Sequence, residues 1–117
     1  MDATLRTELQ RRLEADAEAL RSRIARLEQS TTPIAPDCAL GRLPRAEAME
    51  QQAVLRSELA AARERLAAVR QALARARGDA FGHCAVCGSA IAADRLRARP
   101  ETDRCRRCAE DGGSART

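Results

Sequence analysis

At 117 residues and a formal net charge of +4, the chain has the size of one domain with at most a small appendage. Hydrophobic residues make up 44% of it, yet much of that is alanine, Phe81 is the one aromatic, and neither Trp nor Tyr occurs, which excludes a thick aromatic core. Charged residues reach 32% against six Gly and four Pro, a composition rich in Ala, Glu, Leu and Arg that belongs to long helices or coiled coils and argues against a sheet.

From Asp2 to about Gln29, apolar residues fall at Leu5, Leu9, Leu13, Ala17, Leu20, Ile24 and Leu27, so their spacings of three or four place one stripe along a first long helix. Residues 30–43 then break the pattern with two prolines, a glycine and hydroxyl side chains, and Thr32 before Pro33 is pushed out of the helical region. From Pro44, suited to a first helical turn, the series Leu55, Leu59, Ala62, Leu66, Val69, Leu73, Ala76 predicts a second helix with a heptad seam. This helix is expected to end where Gly78 takes a left-handed cap, a length of roughly 50 Å.

Neither stripe can be buried alone, and the connector lets the chain reverse, so the two helices are expected to form an antiparallel coiled-coil hairpin as a monomer. A homodimeric coiled coil is the alternative. Arg56, Arg63, Arg70 and Arg77 recur every seven residues beside the seam, where Glu14 or Glu28 can meet some of them. The connector exceeds the usual helix-to-helix length, and the tip of the hairpin is the first place to look for a partner contact.

After the hairpin, Cys84 and Cys87 are separated by two residues, seventeen follow, and Cys105 and Cys108 are again separated by two. That spacing is a four-cysteine zinc site, with Gly88 relieving the turn after the first pair. Four sulfur ligands saturate tetrahedral zinc and leave no position to activate water, so the single Zn²⁺ is structural. Residues here are poor in large apolar side chains beyond Phe81, Ile91 and Leu96, so metal binding should drive their folding. His83 is a competing ligand, thiol redox chemistry is the alternative use of the two pairs, and Cys38 stands apart as a free thiol. The chain divides into a hairpin at 1–78 with its tip loop at about 30–43, a zinc finger at 79–111, and a flexible tail at 112–117.

All 21 basic residues are arginine, so Schiff-base and phosphate-loop lysines are absent, and one histidine offers little for nucleophilic catalysis. No enzymatic activity is expected. The N-terminus lacks the apolar stretch of a secretory signal and no run of 18 apolar residues occurs, which predicts a cytoplasmic protein with reduced thiols and no membrane span. Four thiolates with one Zn²⁺ offset the arginines of the finger, leaving it near neutral, and modules that stack bases need aromatic faces that this chain lacks. Sequence-independent contact with phosphates through arginine remains an alternative function, and a coiled-coil adaptor is another.

The run Phe81-Gly82-His83-Cys84-Ala85-Val86-Cys87-Gly88, with Ile91, Arg95-Leu96, Ala98, Pro100 and Cys105-x-x-Cys108, resembles the zinc finger of the DksA/TraR family. The preceding hairpin agrees with the same architecture, and GRLPRAEAMEQQ is similar to what short DksA-like proteins carry between loop and helix. The resemblance implies a transcription regulator that binds bacterial RNA polymerase directly, without sequence-specific DNA binding, and inserts its coiled-coil tip in the secondary channel. The family's tip has two aspartates and an alanine at fixed spacing. Here the nearest acids are Asp37 and Glu47, the latter followed by Ala48, so Asp37, Arg42, Arg45 and Glu47 are the expected tip contacts.

Overall fold

The computed structural model describes residues 1–31 and 45–110, which form four helices: α1 (Ala3–Ser30), α2 (Arg45–Arg75), α3 (Ala93–Ala98) and α4 (Arg106–Glu110). Most of the expected tip loop, with Asp37, Cys38 and Arg42, lies outside the described residues, as does the expected tail. The two long helices dominate, and the molecule extends 58 Å along its longest axis. Its radius of gyration of 18.8 Å exceeds the roughly 13 Å of a compact domain of this length.

Helix α1 buries Leu9, Leu13, Ala17, Leu20 and Leu27, and α2 buries Leu59, Ala62, Leu66, Val69 and Ala72 against it. Apart from Ala72, buried where the heptad series places Leu73, these are the stripes that the periodicity marks, with Leu5, Ile24, Leu55 and Leu73 half-buried at their margins. The helices run antiparallel, as the ion pairs show: moving seven residues along α1, from Asp16 to Arg23, moves the partner seven residues back along α2, from Arg65 to Glu58. Of the arginines that repeat every seven residues, Arg63 meets Glu28 at 2.6 Å, whereas Glu14 has no ion-pair partner among the described residues. At the loop end, Gln52 Nε2 donates to the Ser30 carbonyl (3.1 Å), satisfying an acceptor that the end of α1 leaves open.

The far end of α2 departs from expectation. The helix stops at Arg75, and Gly78 is not left-handed; tight turns follow, in which Arg77 N–H reaches the Ala74 carbonyl and Gly78 N–H the Arg75 carbonyl (2.9 Å). The physical reason is that α1 supplies the cap. Arg6 Nη1 donates to the carbonyls of Ala76 (2.8 Å) and Gly78 (2.9 Å), and Gln10 Nε2 approaches Ala76 as well, so no glycine cap is required.

The same guanidinium of Arg6 lies 5.9 Å from the centroid of the Phe81 ring. Phe81, Ile91 and Leu96 join the apolar cluster formed by the long helices, so one continuous core runs from the hairpin into the C-terminal segment. Ala72 is buried and Leu73 half-buried at this end, a face wider than a two-helix seam requires.

Candidate metal centre

The chain enters the site through Phe81, which is 1% exposed, and turns at Gly82, whose φ of +86° suits glycine. A Cβ on Gly82 would collide with the terminal methyl of Met1, so the start of the chain packs on this turn. An antiparallel bridge between His83 and Ala90 closes the loop, with Cys84 N–H donating to the Ser89 carbonyl (2.8 Å) and Ile91 N–H to the Gly82 carbonyl (2.7 Å). Inside it, Gly88 has φ of +79° and donates to the Cys84 carbonyl (2.9 Å), which is the turn that the sequence assigned to it. Ala85 N–H reaches the Asp103 carbonyl (2.7 Å) and ties this knuckle to the second pair, while Arg95 Nε holds the Arg104 carbonyl at 2.9 Å. Cys108 lies within α4, whose first turn follows Cys105.

The Sγ atoms of Cys84, Cys87, Cys105 and Cys108 all lie within 4.8 Å of one another. The Cys87 and Cys105 sulfurs are 3.7 Å apart, against about 3.8 Å for the edge of a tetrahedron of zinc–sulfur bonds. Cys84 and Cys108 are buried, Cys87 is exposed and Cys105 is intermediate, so the cluster sits with one pair of ligands inward and the other toward water. His83 is exposed and outside the cluster. The N–H groups of Val86 and Cys108 point at the sulfurs of Cys84 and Cys105, both at 3.4 Å, an outer layer of donors that stabilises thiolates.

Electrostatics make the same case for a cation. Burial opposes ionisation of Cys84, but the backbone N–H groups of Cys105, Cys87 and Val86 bring its thiol down to about 6. Cys87 is also lowered, first by the Ser89 side chain. Cys108 is pushed up to about 12, first by Cys105, then by burial and by Cys84 and Cys87. Four thiols this close cannot all ionise beside one another, and a dication at their centre removes the conflict. The donor set therefore fits one structural Zn²⁺, coordinatively saturated by sulfur.

Residues 80–111 match the family model of the prokaryotic dksA/traR C4-type zinc finger. This segment is similar to a DksA/TraR finger. Across the whole fold, the chain is similar to the transcription factor DksA2 from Pseudomonas aeruginosa, with 25% identity, a TM-score of 0.75, and coverage of 97% of this chain and 86% of that one. A search of curated proteins finds no match. Neither likeness indicates a catalytic family, and no helix among the described residues is long and apolar enough to cross a membrane.

Around the DksA/TraR finger lie contacts that the sequence did not announce. Arg97 meets Glu8 at 3.4 Å and its carbonyl accepts from Arg12, while Arg65 of α2 stands between Asp16 of α1 (3.8 Å) and Glu101 of the finger (3.4 Å). Arg65 lies outside the heptad series of arginines, so no periodic signal points to it. Of the expected tip residues, Arg45 and Glu47 open α2 and are both exposed, at the opposite end of the hairpin from the metal ligands.

Proposed function

We propose that the protein is a non-enzymatic transcription regulator that binds RNA polymerase directly and inserts the loop end of its hairpin in the secondary channel. The observation that carries this reading is likeness to a transcription factor over 97% of the chain, so that hairpin and finger are shared together and not the finger alone. In this reading Cys84, Cys87, Cys105 and Cys108 hold one structural zinc. The hairpin at 1–78 acts as a monomeric cytoplasmic probe, the finger at 79–111 is its base, and residues 112–117 are a tail. Asp37, Arg42, Arg45 and Glu47 are its tip contacts. Stacking on nucleic acid is disfavoured because the one aromatic ring, Phe81, is 1% exposed and lies under Arg6.

The test is capture of purified core RNA polymerase by the zinc-loaded protein, with in vitro transcription alongside. Neutralising the tip acids together (Asp37→Asn with Glu47→Gln) should leave polymerase affinity within a few-fold, because exposed charges add little net affinity, yet abolish the effect on promoter-complex lifetime. Retention on nucleic acid with none on polymerase would sink the reading. Unaltered regulation by the double variant would mean that these acids are bystanders.

A further inference from the structure

We propose that Arg65 is a positioning residue, which fixes the direction in which the zinc finger leaves the hairpin by pairing with the buried carboxylate of Glu101. Its purpose rests on the polymerase reading: a fixed direction lets the finger and the far end of the hairpin meet one partner together.

The finger packs on the hairpin through Phe81, Ile91 and Leu96, close after the turns that follow Arg75. Apolar contact of this kind is non-directional and leaves the finger room to pivot. Glu101 lies twenty residues further along the chain and meets Arg65, which is ten residues, or about 15 Å, up α2 from its last helical residue. Two anchors at that separation remove the pivot. The exposed pair of Arg97 with Glu8 contributes little by comparison, since both side chains are about half in water.

The burial of Glu101 gives this contact its weight. Its side chain is only 8% exposed, and its Oε1 has no hydrogen-bond partner. Charge compensation comes from Arg65 at 3.4 Å, and from Arg99 at 4.0 Å, whose side chain is 70% exposed. Asp16 holds the same guanidinium from α1 at 3.8 Å, so three elements converge on Arg65. A buried carboxylate whose cation is removed has to reach water, and the route open to Glu101 is rotation of the finger away from α2. Neutralising the carboxylate as an isosteric amide removes that drive.

Arg65→Met should therefore free the finger, Glu101→Gln should not, and the two together should restore the parent arrangement. The measurement is residual dipolar coupling of the zinc-loaded full chain. Parent, Glu101→Gln and the double variant should each fit one alignment tensor for hairpin and finger, whereas Arg65→Met should need two, with zinc content and far-UV helicity unchanged. On polymerase, Arg65→Met should bind about tenfold more weakly, with recovery in the double variant. One tensor for Arg65→Met overturns the proposal, and so does loss of its zinc, which would make Arg65 a general support of the fold. A freed finger with unchanged polymerase affinity overturns the positioning role. Failure of the parent to bind polymerase removes the proposed function, while the couplings still decide whether Arg65 sets the finger's direction.

Discussion

Replacing Phe81 by alanine tests whether hairpin and finger form one cooperative unit. The ring is 1% exposed, shares a cluster with Leu9, Leu13 and Val69, and carries the Arg6 guanidinium 5.9 Å from its centroid. Phe→Ala at a buried site costs about 3–5 kcal/mol, from lost transfer free energy and the cavity left behind. The cation over the ring adds about 0.5–1 kcal/mol, and Arg6 also loses a support for the position from which it caps Ala76 and Gly78. With an m-value near 2 kcal/mol/M, the midpoint of urea unfolding should fall by roughly 2 M. Far-UV circular dichroism in zinc-buffered solution reads this out, and because nearly all the helix is in α1 and α2, it reports the hairpin. An unmoved helical transition in Phe81→Ala, with only zinc affinity reduced, would refute the continuous core and make the finger an independent tethered module.

Leu66→Ala, at the centre of the seam, should cost about 2–4 kcal/mol in the same assay, and melting should be independent of protein concentration, since both stripes are buried within one chain. A melting temperature that rises with concentration would favour pairing between copies. Purified under reducing conditions, the protein should hold one zinc; Cys84→Ser or Cys108→Ser should abolish stoichiometric binding, with far-UV helicity mostly retained. Zinc binding at neutral pH should release protons. Cys108, pushed up to about 12, is protonated without metal and a thiolate with it, so the metal-free state holds more protons and affinity rises with pH. Calorimetry in buffers of different ionisation enthalpy measures the count, and zero proton release would contradict the four-thiolate assignment.

The sequence by itself determined the two long helices and the ligand set, but not the short helices α3 and α4 of the finger. Seven apolar positions on α1 and six on α2, with Ala76 just beyond it, repeat at spacings of three and four, because a side chain must return to one helical face to be buried, and that constraint is local enough to read. Two Cys-x-x-Cys pairs are equally legible, since each short turn presents two sulfurs to one ion. Only the tertiary structure decided how α2 ends and where the finger lies. Gly78 looked like a cap when its neighbours along the chain were considered alone, but the open carbonyls of Ala76 and Gly78 are met by Arg6, some seventy residues away in sequence. Likewise Arg65 is one exposed arginine among many until the finger folds back and brings Glu101 beside it. Periodicity reports that a face is covered, whereas the identity of the group across from it depends on long-range register, which no local pattern of residues encodes.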